Sequence, residues 1–192
     1  LERDGHRVTV VTEPVLRAAS PVKSPSGIVA IAVRARVPSV PLMRTAAPLL
    51  LVLVDVQDPG NLGALARVAE AAGSGGLVIC GDSASPYSWR ALRGSMGSLL
   101  RMPVLLRDSA ETALADLRTA GFHTIAAAPR GGRLPDRVQW AGSVALFMGG
   151  EGPGLPDPLL TSTDETVTIP MTPPVESLNV SVAGAILLYA AQ

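Results

Sequence analysis

The stretch Leu49-Leu-Leu-Val-Leu-Val-Asp-Val56 decides the fold class of this chain. Its apolar side chains do not alternate with polar ones, which is typical of a strand that is covered on both faces. Such strands belong to parallel sheets, because the helices that connect parallel strands pack on both faces of the sheet. The residues after this stretch should therefore alternate between helices and strands.

The sequence that follows has this alternation. Residues 62–72 carry apolar residues at helical spacing and should form a helix that stops at Gly73. A second helix should open at Asp108-Ser-Ala-Glu111 in the manner of a capping box and close at Gly121. Residues 77–80, 124–128 and 144–148 are typical of buried strands, and residues 178–191 of a closing helix. The predicted fold class is α/β, with a mostly parallel sheet and helices on both faces.

The first residues follow a different pattern. We expect a strand at residues 8–12, a short helix at residues 13–19 and another strand at residues 27–33. Residues 1–36 are too few for a core of their own. Because the chain starts at Leu1, they are interpreted as the tail end of a small α/β domain whose beginning is absent. Residues 37–48 contain three prolines and indicate a linker, and residues 49–192 form the main domain.

The composition excludes several kinds of protein. No stretch approaches the roughly 20 apolar residues of a membrane span, and no signal peptide is visible. Cys80 is the only cysteine, so an internal disulfide is impossible and a reducing cytoplasm is the expected location. His6 and His123 have no carboxylates at ligand spacing, so no metal site is predicted.

The net charge of zero hides an asymmetry along the chain. All sixteen basic residues lie at or before Arg137, against eleven acidic residues in the same part, and the five other acids follow it. Fifteen of the basic residues are arginine, whose planar fork suits phosphate groups. Codon bias is an equally good explanation of the arginine content. Aromatic residues are scarce, so a base-stacking platform for single strands is not expected.

Three glycine- and proline-containing loops follow predicted strands. They are Asp58-Pro-Gly-Asn61, Pro129-Arg-Gly-Gly132 and Gly149-Gly-Glu-Gly-Pro-Gly154. Ligands of parallel sheets bind beyond the carboxyl ends of the strands, so these loops should converge on one edge. None of them contains G-x-G-x-x-G or a P-loop, and the chain has no G-x-S-x-G elbow. Hydride transfer, phosphoryl transfer and serine hydrolysis therefore lose support.

Polar side chains interrupt apolar segments in the last quarter of the chain, at Glu151, Ser177 and Asn179. If these groups are buried, each costs about 1–3 kcal/mol without a hydrogen-bonding partner. They should therefore meet a partner or a ligand, and the functional site is expected there.

Three segments together resemble the motifs of the SpoU (TrmH-type) branch of the SPOUT methyltransferases. They are Asp58-Pro-Gly-Asn-Leu-Gly-Ala-Leu-Ala-Arg67, Leu146-Phe-Met-Gly-Gly-Glu-Gly-Pro-Gly-Leu155, and Ile169-Pro-Met followed by Glu176-Ser-Leu-Asn-Val-Ser-Val-Ala183. The segment Arg93-Gly-Ser-Met-Gly97 is also similar to the family. The resemblance covers residues 49–191, with the order and spacing of the motifs intact.

The resemblance implies methylation of a ribose 2′-hydroxyl in RNA with S-adenosylmethionine as the methyl donor. It also implies a homodimer and a C-terminal trefoil knot. Ser24-Pro-Ser-Gly-Ile-Val-Ala30 resembles the end of the ribosomal-protein-like RNA-binding domain of rRNA-modifying members, which favours 23S rRNA as the substrate. A tRNA ribose methyltransferase and a non-catalytic RNA-binding or ribosome-assembly factor remain alternatives. The target nucleotide is left open.

The resemblance also assigns site residues. It implies cofactor-binding roles for Gly149, Ile169, Met171 and Leu178, and residues 126–128 border the adenine. Plain core packing is the alternative for the three apolar side chains. Gly150 stands where many members carry Asn, Ala or Ser, so no side-chain contact is expected there.

The catalytic residues implied by the resemblance are Arg67, Asn61, Glu151, Ser177 and Asn179. Arg67 would lie beside the target ribose and its phosphate, and Glu151 would hold Arg67 in position. Because a guanidinium keeps its proton in proteins, we interpret Arg67 as a phosphate and oxyanion clamp rather than as a base. Asn61 could be a helix N-cap, alone or together with the family role, and Ser177 could be an ordinary N-cap. The alternative for Glu151 is a solvated loop acid, and for Arg67 a surface arginine.

Four further arginines are candidates for contacts with RNA phosphates, since they lie in segments that flank the predicted edge. They are Arg93, Arg101, Arg130 and Arg133. The alternative for each is a solvated surface charge.

Overall fold

The computed structural model of the chain describes residues 2–22, 24–33, 49–152 and 154–192. The chain divides into two compact units, residues 1–35 and 36–192. The predicted linker at residues 37–48 lies outside the described residues.

The first unit contains one α-helix among its described residues, α1 (Glu13–Ala19), and a 3-10 turn at Glu2–Asp4. The predicted helix at residues 13–19 is confirmed. The predicted strands at residues 8–12 and 27–33 are wrong, because no strand pairing is found for either segment. Val10 and Ile31 are almost fully exposed, so neither segment has a face to bury. Apolar, β-branched residues do not form a strand unless a neighbouring strand accepts their backbone hydrogen bonds.

The second unit is built on a six-stranded sheet in the order β3-β2-β1-β5-β4-β6. The strands are β1 (Leu49–Val54), β2 (Gly76–Cys80), β3 (Val104–Arg107), β4 (His123–Ala127), β5 (Val144–Gly149) and β6 (Glu165–Val167). Every pair of neighbouring strands is parallel. The prediction of an α/β fold with a mostly parallel sheet is therefore confirmed.

Both faces of the sheet are covered, as β1 shows. Its side chains alternate between two hydrophobic clusters, with Leu51 and Leu53 in one and Leu50, Val52 and Val54 in the other. The first cluster includes residues of α2 (Pro59–Ala71), α3 (Trp89–Gly94), α4 (Ser98–Arg101) and α7 (Val180–Ala190). The second includes residues of α5 (Ala110–Thr119) and α6 (Asp157–Ser162). The apolar run of β1 thus supplies two cores at once.

The predicted strands and long helices of this unit are confirmed, with ends that differ by a few residues. One cap differs from the prediction: Ser109 rather than Asp108 caps α5, because its hydroxyl accepts from the Thr112 N–H at 3.3 Å. The sequence did not predict α3, α4, α6, β3 and β6, or the 3-10 turn at Pro135–Arg137. These elements have three to six residues. A helix of at most six residues makes fewer than two turns, and β3 and β6, with four and three residues, are shorter than the other four strands, so neither kind shows a clear pattern.

The helices on one face of the sheet approach each other closely through glycines. A Cβ atom on Gly63 of α2 would lie 2.9 Å from the Ser95 nitrogen and closer still to the Ala91 carbonyl oxygen. Gly184 of α7 faces Leu65 of α2 in the same way. Helix α2 is therefore held between α3 and α7, and its first residues are fixed relative to both.

Among the described residues, none of the helices combines the length and the apolar character that crossing a membrane requires. The same part of the chain holds no cluster of three or more His, Cys, Asp or Glu side chains suited to a metal ion.

Candidate active site

A cavity of about 400 Å³ opens beyond the carboxyl ends of β4 and β5. Its wall comes from the residues after β4, from the glycine-rich loop after β5, and from the segment that leads from β6 into α7. Gly149, Ile169, Met171 and Leu178, the predicted cofactor residues, all line it. Ala127 and Ala128 line it as well, whereas Ala126 is buried in the sheet. The predicted cofactor residues therefore share one cavity, and their role in binding a cofactor stays a prediction.

Gly149 and Gly150 pack directly against neighbouring backbone. A Cβ atom on Gly149 would lie 2.5 Å from the Leu155 nitrogen and 2.6 Å from the Gly154 oxygen. A Cβ atom on Gly150 would lie 2.7 Å from the Asp55 carbonyl carbon, and the Gly150 N–H donates to the Val54 carbonyl at 2.8 Å. Only glycine fits at either position, so this side of the cavity consists of backbone.

Three polar side chains form a chain of hydrogen bonds at the mouth of the cavity. Asn61 donates through Nδ2 to Oε1 of Glu151 in a short hydrogen bond. Asn179 donates through Nδ2 to Oδ1 of Asn61 at 3.1 Å. These partners are 90 and 118 residues apart in the sequence, so only the folded chain brings them together. The loop after β1 thus reaches the same edge as the loops after β4 and β5, as predicted.

Asn61 is free to make these bonds because another residue caps α2. Oδ1 of Asp58 accepts from the Gly60 N–H at 2.5 Å and from the Asn61 N–H at 3.1 Å. The backbone bonds from Asn61 and Gly60 lower the pKa of Asp58, so its carboxylate stays ionised at the positive end of the helix. The alternative that Asn61 is the N-cap is therefore wrong.

Helix α7 is capped by Asn179 rather than by Ser177. Oδ1 of Asn179 accepts from the Ser181 N–H at 2.9 Å and from the Ser181 hydroxyl at 2.5 Å. The alternative that Ser177 is an ordinary N-cap is wrong, and Ser177 lines the cavity instead. Asn179 combines two roles, since its oxygen orders the start of α7 while its nitrogen holds Asn61.

The polar residues of the site are more exposed than the sequence suggested. Glu151, Ser177 and Asn179 are exposed, and Asn61 is half-buried. The expected burial is therefore wrong, because loops at the edge of the sheet leave these groups in contact with water. The expected hydrogen-bonding partner is found for Glu151 and for Asn179, since both bond to Asn61. What distinguishes Asn61, Glu151 and Asn179 is their mutual hydrogen bonding beside a cavity.

Arg67 lies on the exposed side of α2, one and a half turns after Asn61. It does not line the cavity, and within the described residues it makes no hydrogen bond or ion pair. Glu151 is bonded to Asn61 and not to Arg67. The guanidinium of Arg67 is therefore available to an anion from solution.

The four arginines proposed for phosphate contacts fall into two groups. Arg101 makes a bidentate ion pair with Glu70, at 2.7 and 2.6 Å, which lowers the pKa of Glu70 to about 2. Arg130 pairs with Glu176 at 2.8 Å, and Arg133 lies 3.4 Å from Glu165. Arg93, on α3, is exposed and has no such partner in the part of the chain that the structure describes.

Comparison with known proteins identifies the family to which this chain belongs. The sequence profile of the SpoU rRNA Methylase family matches residues 48–189, nearly the whole second unit. The chain belongs to the SpoU rRNA methylase family. The segments that carry the cavity and the three hydrogen-bonded residues all lie within the matched range.

Individual relatives of this SpoU-family chain are similar over most of its length. The 23S rRNA (guanosine(2553)-2′-O)-methyltransferase RlmP of Bacillus subtilis is 32% identical over 186 residues, which are 96% of this chain and 72% of that protein. An uncharacterized tRNA/rRNA methyltransferase of Synechocystis is 38% identical over 142 residues, 74% of this chain. The chain spans about half the length of that relative, 52%.

Solved structures have the same fold. An AdoMet-bound rRNA methyltransferase from Sinorhizobium meliloti superimposes with a TM-score of 0.73 at 31% identity. The match covers 77% of this chain and 56% of that one. The SpoU assignment thus rests on both sequence and architecture.

Some lining residues of the SpoU site were not predicted from the sequence. Val180, Ala183 and Leu187 of α7 face the cavity, as does Val167 at the end of β6. The three α7 residues are spaced i, i+3 and i+7 and so share one helix face. This spacing was visible in the sequence, although it is equally typical of core packing.

Proposed function

We propose that this chain transfers a methyl group from S-adenosylmethionine to a ribose 2′-hydroxyl of 23S rRNA. The hydrogen-bonded set of Asn61, Glu151 and Asn179 at the mouth of a cavity carries the proposal. Membership of the SpoU family supports it, as do relatives named as rRNA methyltransferases.

The cavity fits the methyl donor in size and chemistry. Small-molecule sites are usually about 300–1,000 Å³ and largely apolar, with a few polar groups. S-adenosylmethionine supplies an activated methyl group and offers an adenine, a sulfonium and a carboxylate for recognition. Ile169, Met171 and Leu178 would form an apolar slot for it, and Gly149 would let the backbone approach closely.

The polar set would orient the acceptor. A ribose hydroxyl is a weak nucleophile, so its position and its developing negative charge must be controlled. In this proposal Arg67 binds the phosphate beside the target ribose and stabilises charge on the 2′-oxygen. Asn61, Ser177 and Asn179 offer hydrogen-bonding groups to the ribose, and Glu151 keeps Asn61 in its orientation. The hydroxyl proton leaves to an RNA phosphate oxygen or to water, because the Arg67 guanidinium is already protonated.

The proposal includes a homodimer formed through α7. Val182, Ile186 and Tyr189 are 48%, 41% and 54% exposed and lie along one side of this helix, while Leu187 and Leu188 are buried on the other. An apolar stripe of this kind suits an isologous contact with a second copy. Light scattering should give the mass of a dimer, and Val182→Asp with Ile186→Asp should give that of a monomer.

The remaining elements of the proposal concern the rest of the protein. Residues 1–36 would belong to an RNA-binding domain, joined by residues 37–48 to the catalytic domain of residues 49–192. The C-terminal trefoil knot and a cytoplasmic location follow from the same family. The ribosomal substrate and the single cysteine support that location.

The test is methyl transfer from labelled S-adenosylmethionine to unmodified rRNA, with tRNA as the competing acceptor. Incorporation into rRNA at a ribose 2′-oxygen is expected, together with donor binding by calorimetry. Arg67→Ala should abolish transfer while the donor still binds, and Arg137→Ala, a change at another exposed arginine, should leave transfer unchanged. Incorporation into tRNA alone would assign the alternative substrate. Absence of donor binding would point to a non-catalytic RNA-binding factor.

A further inference from the structure

Trp89, at the start of α3, exposes a large aromatic surface. It is 44% exposed, whereas Trp140, the other tryptophan of the chain, is half-buried and donates through Nε1 to the Pro135 carbonyl at 2.7 Å. No hydrogen bond of the Trp89 indole is found among the described residues. An aromatic side chain in this position is available to stack on a partner.

Two cationic side chains accompany Trp89 on the same short helix. Arg93 is one turn further on, so it lies on the same helix face as Trp89. Arg90 has a side chain that is 70% exposed, and its ion pair with Asp58 is long, at 3.4 Å. Unlike Arg101 and Arg130, neither arginine is held by a short ion pair in the described structure. Their guanidinium groups can therefore bind an external anion.

Helix α3 is joined to the candidate active site through α2. The Ala91 carbonyl and the Ser95 nitrogen of the α3 region lie against Gly63, which fixes the two helices at close range. Asp58, which contacts Arg90, caps the helix turn that carries Asn61, and Asn61 holds Glu151 at the cavity mouth. Arg90 thus contacts the residue that caps the helix start carrying Asn61, and Trp89 and Arg93 belong to the same short helix as Arg90. Arg67 lies further along α2 on an exposed position.

We propose that Trp89 stacks on an unpaired base of the RNA next to the methylated nucleotide, while Arg90 and Arg93 bind the flanking phosphates. The proposal rests on the function proposed above, and it names residues that determine how the RNA is held. Single-stranded RNA is bound in this way, since bases stack on aromatic rings and arginines neutralise the backbone. The scarcity of aromatic residues argued against an extended stacking platform, and a single exposed ring is consistent with that argument.

The first experiment measures RNA affinity without depending on catalysis. The probe is a short, labelled, mixed-sequence single-stranded RNA, and the readout is fluorescence anisotropy. Trp89→Ala should weaken binding by roughly 5- to 150-fold, and Trp89→Phe should retain most of the affinity because its ring still stacks. The association constant K for RNA falls as the salt concentration rises. Arg90→Ala and Arg93→Ala should each make the slope of log K against log salt less negative by about 0.7. Arg137→Ala is the matched control, since that arginine is 76% exposed and lies 3.5 Å from its carboxylate partner.

The second experiment observes the ring itself. In a Trp140→Phe protein, Trp89 is the only tryptophan, so its fluorescence reports on its own surroundings. Quenching on addition of the RNA is expected, and no quenching with a saturating amount would overturn the proposal. Methyl transfer by Trp89→Ala should show a raised KM for RNA and a nearly unchanged kcat.

Other outcomes separate this inference from the proposed function. If Trp89→Ala binds RNA as the wild type does, the inference fails even if methyl transfer is observed. A change of molecular mass in Trp89→Ala, with RNA affinity unchanged, would assign the ring to a subunit contact. A wild-type protein that binds RNA through Trp89 but neither binds the donor nor transfers a methyl group would sink the proposed function alone.

Discussion

Replacing Gly63 with alanine tests the close approach of α2 and α3. The new Cβ atom would lie 2.9 Å from the Ser95 nitrogen and 3.0 Å from the Gly94 carbonyl carbon, and nearer still to the Ala91 carbonyl oxygen. All three atoms belong to the backbone, so no side-chain rotation relieves the contact. Helix α3 would have to move away from α2 by a large fraction of an ångström.

Two opposing effects determine how much Gly63→Ala changes the free energy of unfolding. Overpacking a closely packed contact costs about 1–3 kcal/mol. Alanine is favoured over glycine inside a helix by up to about 1 kcal/mol, which offsets part of that cost. Subtracting the full propensity gain leaves a net destabilisation of about 0–2 kcal/mol, and the upper part of this range is expected because the overlap is with backbone atoms. For a domain of this size, 1 kcal/mol corresponds to a decrease of roughly 2–4 °C in melting temperature.

Gly94→Ala provides the control on the other side of the same contact. Its Cβ atom would lie 3.3 Å from the Gly60 carbonyl oxygen, a tight distance that a small adjustment accommodates. Urea and thermal unfolding of both variants should show a clear loss of stability for Gly63→Ala and little change for Gly94→Ala. A Gly63→Ala protein as stable as the wild type would refute the packing of α3 described here.

Three further predictions concern the site and the core. Asp58→Ala should lower the melting temperature, because α2 loses its cap. This difference should shrink as the pH falls from about 3.8, where the unfolded carboxyl takes up its proton, through the lower pKa of the folded carboxylate. A constant difference at all pH values would contradict this role. Asn61→Ala should decrease kcat/KM for methyl transfer by about tenfold or more, with a smaller change in stability than Asp58→Ala; the reverse ranking would make Asn61 structural. Burial, and secondarily the carboxylates of Asp55 and Glu111, raise the pKa of the Cys80 thiol to about 12, so the thiol should resist alkylation in native protein and react in urea.

The sequence predicted the parts of the fold whose apolar residues form an uninterrupted run or recur at helical spacing. The run at β1, the amphipathic helix after it and the buried strands β4 and β5 each show a pattern of burial over several residues. The short helices α3, α4 and α6 and the edge strands β3 and β6 were missed, because their existence depends on neighbours. Strand β6, for example, is a strand only because it pairs with β4.

In the first unit the error is the opposite one: strands were predicted that the structure does not contain. Residues 8–12 and 27–33 have strand-like composition, yet no strand is found there, since composition does not supply a pairing partner. Resemblance to a family located the cavity-lining residues, because its motifs mark the loops at the sheet edge. It could not show which side chain caps which helix. Asp58 and Asn61, both good N-caps, lie three residues apart, and only the hydrogen-bond geometry separates their roles.

The bond between Asn179 and Asn61 has a consequence for how the protein is made. Asn61 emerges from the ribosome 118 residues before its partner Asn179. Chains that terminate prematurely, before residue 179, would possess most of the sheet and still lack a completed cavity mouth. The cavity mouth can therefore form only after residue 179 has been synthesised, later than all six strands of the sheet.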